Sequence, residues 1–299
     1  MRIRTDRKPF ERAVPTANSL AFAAQISELL DIPFDKDAID AQARSLHEGM
    51  FEALIDALEL DANAVKMQSG YYFATRAFAI NSVEGTPQIG VDITFDYWLS
   101  ALNLICAIAT FETPTNQQWE GLALQTDSTF HLFDDARRFE QARDGLKPYL
   151  VDHHNLLNLS EGLARAMLVF TFCHELAHCH LDHLNQPANV SQELDADKLA
   201  AQYFLTLLEK GAQLADTTIF VDIKLAGAPL ILMQLLNVHE QWLAHQGRLH
   251  ASDTHPHALN RLNNILPLFE PFLNETATTI VDAMTLGAED IGRILPRVP

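Results

Sequence analysis

Cysteine is scarce in this sequence, with three residues in a chain of 299. A small and odd set of cysteines offers no disulfide framework. We therefore interpret Cys106, Cys173 and Cys179 as small core residues of a protein in a reducing compartment. Basic residues are also few: 21 Lys and Arg stand against 39 Asp and Glu, a formal net charge of −18. This balance argues against binding nucleic acid through its phosphates and against an anionic membrane surface.

Long apolar runs are missing too. Residues Met1–Phe10 are charged and lack the apolar core of a signal peptide. The most apolar run, Leu225–Val238, is interrupted by Gln234 and Asn237 and is too short to span a bilayer. We expect a cytoplasmic protein without membrane insertion. Its 48% hydrophobic content is ample for a substantial core.

The segment His174–His178, with the sequence His-Glu-Leu-Ala-His, carries a chemical signature. It lies in a stretch from about Ser160 to His180 whose apolar residues recur at helical spacing. The two histidines therefore share one helix face, and Glu175 flanks them. Two imidazoles can bind zinc, and a carboxylate beside the metal can take a proton from water. The alternative is a chance pair on a buried helix, since the chain holds 13 histidines.

A second helix is predicted to begin at Ser191, the expected N-cap. Glu193 and Asp197 stand four residues apart on one face of it. If this helix crosses the first, Glu193 can be the third zinc ligand and Asp197 can orient a histidine. Acidic residues are also common in the first turn of solvated helices, so an acidic helix start without a metal role remains the alternative.

The third ligand is not expected directly after the motif. The metzincin pattern has a glycine three residues and a histidine six residues after the second motif histidine, where this chain has Leu181 and Leu184. His180 and His183 follow closely, but His180 lies on another side of the helix and His183 lies near its end. We interpret both as polar residues that complement the helix dipole.

A third motif, His255-Pro256 followed by Arg261, completes a pattern that resembles the gluzincin metallopeptidases of the HtpX and CAAX-prenyl-protease type. The resemblance implies that Zn²⁺ is held by His174, His178 and Glu193 and that Glu175 is the general base. It also places His255 near the zinc, as a donor to the oxyanion. Arg261 would hold Glu193 or the loop, and Asp197 would fix the tautomer of His174. Unlike that membrane-embedded branch, this chain shows no evident membrane span.

Among soluble relatives, the chain resembles the phage-exclusion (Lit-type) peptidases, intracellular bacterial enzymes that cleave a host translation factor. The implied function is a zinc-dependent endopeptidase acting on an intracellular protein or peptide, with phage defence as its setting and an activating partner left open. One alternative is a zinc-containing binding or regulatory protein without turnover, with His180 or His255 as a fourth ligand. Another is a helical interaction protein without metal.

The expected fold class is α+β and predominantly α-helical, with a gluzincin-like core and a small sheet ahead of the zinc-binding helix. Helices at about 17–30 and 38–60 suggest an N-terminal helical cap (1–64) before a zincin-like metallopeptidase domain (65–299). Two strands are predicted at 71–80 and 89–95, joined around Gly85-Thr86-Pro87. Further helices are expected at 96–111 and 230–242.

Residues 76–79, Arg-Ala-Phe-Ala, resemble the Asn-Ala-Phe-Ala edge strand on which gluzincins hold an extended substrate, although a plain core hairpin is an equal alternative. The polar segment 112–158 could be an insertion that shapes the cleft. Its histidines are interpreted as surface or turn residues: His131, His153 and His154. Near the end of the chain, a helical tail is predicted to be divided at Pro267, Pro271 and Gly287.

Overall fold

A computed structural model of the chain describes residues 24, 35–70, 77–82, 84–92, 95–112, 114–130, 154–211, 222–248 and 255–295. Within these residues the protein is mostly helical with one small sheet, which confirms the predicted α+β, predominantly helical class. Several predictions lie outside the described residues: the first helix apart from residue 24, Arg76, His131, His153 and the side chain of His154.

The described helices are α1 (Lys36–Ala57), α2 (Phe95–Phe111), α3 (Asn116–Phe130), α4 (His154–His180), α5 (Val190–Gly211), α6 (Ala228–His245), α7 (Ala258–Phe269) and α8 (Glu275–Ile294). Short 3₁₀ helices cover His183–Asn185, Ile223–Leu225 and Glu270–Phe272. The helices expected at 96–111, 160–180 and 230–242 are confirmed as α2, α4 and α6, and α4 begins six residues earlier than predicted.

The described sheet has three strands: β1 (Lys66–Gly70), β2 (Ala77–Asn81) and β3 (Pro87–Asp92), in the order β1-β3-β2. Strands β2 and β3 pair antiparallel and confirm the predicted hairpin, whereas β1 pairs parallel with β3 and was not predicted. Phe78 lies opposite Gly90, where an added Cβ would stand 2.5 Å from the Phe78 ring. Among the described strands β2 is an outer strand, and the ring of its Phe78 needs a glycine beside it.

Helix α4 lies at the centre of the fold. Leu163, Met167 and Phe170 recur at helical spacing and are at most 1% exposed, in contact with a core to which α2, α5 and α6 contribute. By length and composition alone, its segment Leu156–His180 could cross a membrane, and it replaces Leu225–Val238 as the most apolar candidate among the described residues. A core helix passes the same test, and 61% of the apolar window is buried in the fold.

The tail differs in part from its prediction. Pro271 lies in the 3₁₀ turn that separates α7 from α8, as expected, but Pro267 lies inside α7. Gly287 lies within α8 and does not divide it. Instead, a Cβ at Gly287 would stand 2.4 Å from the carbonyl oxygen of Cys106, so this glycine allows α8 to approach the backbone of α2 closely.

Part of the segment interpreted as a polar insertion is a helix. Helix α3 packs on α2 and α8. It buries Thr126 and Thr129, whose hydroxyls donate to backbone carbonyls one turn earlier. Its Asp127 accepts a hydrogen bond of 2.8 Å from Trp242 Nε1. Polar residues can occupy these buried positions because their hydrogen-bonding groups are satisfied locally or by one partner. The sequence of α3 therefore lacks the regular spacing of apolar residues from which a helix is predicted.

Helix α1 packs on β1 and α4, and its buried Met50 and Leu54 belong to the same hydrophobic cluster as the core of the helical bundle. The division into a cap of residues 1–64 and a peptidase domain of residues 65–299 stays a prediction.

Candidate metal centre

The last two turns of α4 carry the motif histidines. His174 and His178 stand one turn apart on the same face, and their Nε2 atoms are 3.1 Å from each other. Both rings are largely buried, with side chains 10% and 12% exposed. Glu175, the next residue along the helix, is 9% exposed. Two imidazole nitrogens therefore meet at one point, and the residue that follows His174 is a nearly buried glutamate.

Helix α5 crosses the end of α4 and begins differently from the prediction. Its cap is Asn189 and not Ser191: the Asn189 side chain accepts from the Gln192 backbone N–H, and Gln192 accepts from the Asn189 N–H. This reciprocal arrangement satisfies free donors at the helix start. Ser191 lies inside the helix, where its hydroxyl bonds to Asp195.

Glu193, in the first turn of α5, completes the group of ligand atoms. Its carboxylate oxygens lie 3.5 Å from His174 Nε2 and 3.7 Å from His178 Nε2. The three ligand atoms lie within 4.8 Å of one another, and they form the one such group among the described residues. Two imidazoles and a carboxylate are the donor set of catalytic zinc sites with three protein ligands. The three residues could hold a metal ion.

Asp197 and Arg261 lie behind His174. Asp197, fully buried, is 2.9 Å from His174 Nδ1, so the proton of that ring is held on the side away from Glu193. Arg261, from α7, binds both oxygens of Asp197, at 2.8 Å from Nε and 2.6 Å from Nη2. The ion pair of Arg261 is thus with Asp197, whereas the sequence suggested Glu193 or the loop.

His255 lies just ahead of α7 and faces the site from the other side. Its Nε2 is 3.6 Å from Glu193 Oε1, and its side chain is 44% exposed. The structure therefore brings His255 to the same carboxylate as the motif histidines, but on the open side, where a substrate could reach it.

His183 was misjudged from the sequence. The chain turns sharply after α4, and His183 is 9% exposed, with its Nδ1 3.1 Å from His178 Nδ1. Its interpretation as a polar residue that complements the helix dipole missed this contact with His178. His180, in contrast, is exposed and forms a short hydrogen bond with the Tyr203 hydroxyl. No signal in the sequence separated these two histidines, because the turn between them decides which one faces inward.

The site favours a positive charge. Burial opposes ionisation of the Glu193 carboxyl, but the neighbouring His174 and His178 hold its pKa at about 2. Burial also disfavours protonated His174, yet hydrogen bonds to Asp197 and Glu193 raise its pKa to about 9. Burial and the nearby His174 lower the pKa of His178 to about 3. Without a metal, the extra proton thus resides on His174, and the ionised carboxylates of Glu193 and Asp197 stabilise its positive charge.

The comparison with protein families matches residues 132–281, half of the chain, to the family described as Peptidase U49. The chain belongs to the peptidase U49 family. This family of Lit-type peptidases is a metallopeptidase family. The comparisons with curated proteins and with solved structures find no match.

The part of this U49 peptidase that matches the family contains every residue placed around the candidate metal centre, from His174 to Arg261. The sheet and α1 lie outside it. Membership of the family supports a peptidase, that is, a hydrolase of peptide bonds.

The thiols of Cys106 and Cys173 lie outside the group of candidate metal ligands. Burial raises the pKa of Cys106 to about 12 and also raises the pKa of Cys173. Both are core residues, as predicted.

Proposed function

We propose that this U49 peptidase is a zinc-dependent endopeptidase that hydrolyses peptide bonds of an intracellular protein by activating water. The observation that carries the proposal is the convergence of the His174, His178 and Glu193 ligand atoms within 4.8 Å of one another. The spacing of His174, Glu175 and His178 along α4 is that of the zinc-binding helix of a metallopeptidase.

The residues present fit a zinc ion. The two Nε2 atoms and the Glu193 carboxylate point into a common space, and the Nδ1 atoms are each turned to a different partner. Histidines held in this way present the correct nitrogen to a metal. When bound, zinc would lower the pKa of a water molecule and polarise the scissile carbonyl. Imidazole and carboxylate ligands also suit other divalent metals, so zinc is inferred from ligand type.

Glu175 is the proposed general base. Its place one residue after His174 puts its carboxylate about 100° round the helix, beside the metal space and not in the ligand set. There it takes a proton from the attacking water and later delivers it to the leaving amide nitrogen. Glu175 is 9% exposed, so it is largely shielded from bulk solvent.

His255 is the proposed donor to the tetrahedral oxyanion. Its ring lies on the exposed side of Glu193, at 3.6 Å, so it can approach both the site and an incoming substrate. Donors aimed at the developing charge lower the barrier in the transition state. Asp197 and Arg261 are proposed to act indirectly, because Asp197 orients His174, Arg261 holds Asp197, and neither contacts the substrate.

Strand β2 is the proposed support for an extended substrate. It is an edge strand, it packs against α4, and Asn81 at its end donates a 2.8 Å hydrogen bond to Asn185 in the turn after α4. Addition of an extended peptide to the outer strand of a sheet is a common mode of peptide recognition, and β2 holds that position among the described strands, next to the catalytic helix.

A second candidate function rests on the same His255 contact. If His255 were a fourth ligand, the site would be closed, and the chain would be a zinc-containing binding or regulatory protein. His255 is absent from the group of ligand atoms within 4.8 Å among the described residues, which favours an open site. Absorption spectra of the cobalt-substituted protein distinguish an open site from a closed one. Added azide changes the spectrum if the metal has an exchangeable coordination position, and leaves it unchanged if all positions are filled by protein ligands.

The deciding experiment compares new protein N-termini in bacterial cells that express the wild-type chain or Glu175→Gln. The amide keeps the shape and removes the base, so termini found only with the wild type would identify the substrate. Glu161→Gln makes the same change on the same helix, about 21 Å earlier along its axis. It should behave as the wild type.

Matching profiles for the wild type and Glu175→Gln, with zinc bound to both, would favour the binding protein. The resemblance to phage-exclusion peptidases leads us to propose a role in phage defence as well. The same comparison should therefore be repeated in infected cells, since infection could supply an activating partner.

A further inference from the structure

His183 occupies a position that the proposed mechanism does not use. It lies in the 3₁₀ turn just after α4, is 9% exposed, and places its Nδ1 3.1 Å from Nδ1 of His178. The two rings meet at an interplanar angle of 67°, with centroids 5.2 Å apart. The rings are therefore not stacked, and their closest polar contact is between the two Nδ1 atoms.

The orientation of His178 assigns the proton in this contact. Its Nε2 lies 3.1 Å from His174 Nε2 and 3.7 Å from Glu193 Oε1, so Nε2 is the nitrogen that faces the metal space. A metal ligand needs a free lone pair, so the proton of neutral His178 must be on Nδ1. That N–H then donates to His183 Nδ1, which accepts only in the neutral tautomer with its own proton on Nε2.

The turn that carries His183 is held on both sides. Asp182 adopts the left-handed conformation with φ 57°, and its side chain accepts a 2.6 Å hydrogen bond from Asn185. Asn185 in turn accepts from Asn81 of the sheet edge. On the other side, Gln186 donates to the Asp182 carbonyl and accepts from Gln192 of α5. A ring attached to such a turn has little freedom to leave His178.

We propose that His183 is a positioning residue, which orients the ligand His178 by accepting a hydrogen bond at Nδ1, as Asp197 does for His174. The inference rests on the proposed function, because it assumes that His178 binds a metal. Each ligating histidine would then have its own acceptor: a carboxylate for His174 and a neutral imidazole for His178. Removal of such an acceptor typically weakens metal binding 10- to 100-fold.

The test measures zinc affinity by competition with a chromogenic chelator for wild type, His183→Phe and His183→Asn. Phenylalanine keeps a ring and removes the acceptor. Asparagine removes the ring but offers Oδ1 near the place of Nδ1. We expect His183→Phe to bind zinc 10- to 100-fold more weakly and His183→Asn to bind within about threefold of the wild type. His180→Ala, an exposed histidine of the same segment, is the matched control and should bind as the wild type does.

Visible spectra of the cobalt-substituted proteins and urea unfolding in the presence of chelator accompany the affinities. Altered cobalt bands in His183→Phe alone, with unfolding midpoints unchanged, support the inference. Equal affinity of wild type and His183→Phe would overturn it, as would equal weakening of both substitutions, which would assign the effect to ring packing. If the wild-type chain binds neither zinc nor cobalt, the proposed function falls together with this inference.

Discussion

Asp197 is the fully buried carboxylate on which both His174 and Arg261 depend. Its oxygens accept hydrogen bonds of 2.8 and 2.6 Å from the Arg261 guanidinium, and Oδ1 lies 2.9 Å from His174 Nδ1. The substitution Asp197→Ala removes this acceptor and leaves a guanidinium whose side chain is only 16% exposed. The perturbation therefore creates a poorly solvated charge without its partner.

The expected cost follows from that burial. Removing one partner of a buried ion pair costs about 3–5 kcal/mol. Because Arg261 keeps some contact with water, we expect the lower end, about 3 kcal/mol, which is roughly a 100-fold change in the ratio of folded to unfolded protein. Urea unfolding with a chelator present measures this loss without any contribution from bound metal. With metal present, the same variant should bind zinc about 10- to 100-fold more weakly.

A double-variant cycle separates the ion pair from simple loss of packing. Asp197→Leu combined with Arg261→Met replaces the pair by apolar side chains of similar volume, and it should recover most of the loss. The coupling free energy between the two positions should be about 2 kcal/mol. The reasoning is refuted if Asp197→Ala costs less than about 1 kcal/mol, or if the double variant loses the sum of the losses in the Asp197→Leu and Arg261→Met single variants.

Three further outcomes test the structure at other places. Gly287→Ala should destabilise the protein by about 1–3 kcal/mol in thermal or urea unfolding, because the new Cβ would clash with the backbone of α2. Gly292→Ala should be neutral or stabilise by up to about 1 kcal/mol, because its Cβ would approach the end of the flexible Gln241 side chain and make an ordinary contact with Val238. Asn189→Ala should cost about 1 kcal/mol as a lost cap, and Ser191→Ala much less; the reverse order would restore the original cap assignment. Zinc at about 100 times the wild-type Kd should raise the free energy of unfolding by about 2.7 kcal/mol. At the same zinc concentration the Glu193→Ala variant should gain much less, and an equal gain would exclude Glu193 as a ligand.

The parts of the fold that the sequence predicted well depend on local repeats. The hairpin of β2 and β3 follows from alternating residues around a glycine turn, and α2 and α6 from continuous helical spacing of apolar residues. Strand β1 was not predicted, because Lys66–Gly70 has no alternation of apolar and polar residues. Its parallel pairing with β3 also joins segments about 20 residues apart, which no local pattern indicates. Helix α3 was not predicted, because some of its buried positions are threonines, whose hydroxyls donate to backbone carbonyls of the same helix.

The same division holds in the candidate site. A four-residue spacing places His174 beside His178, and Glu193 beside Asp197, whatever the rest of the chain does, since one helical turn determines it. The direction in which the chain leaves α4 has no such local rule. A left-handed residue at Asp182 turns His183 inward, while His180 stays outside.

The sequence by itself therefore determined which side chains stand together on one helix, and with them the donor types of the site. Only the tertiary structure decided which helices meet: α5 crosses the end of α4 and brings Glu193 to the histidines, and α7 brings Arg261 to Asp197. The physical reason is range. Hydrogen bonds along one helix act over a single turn, whereas the approach of two helices depends on how the whole core of apolar side chains packs.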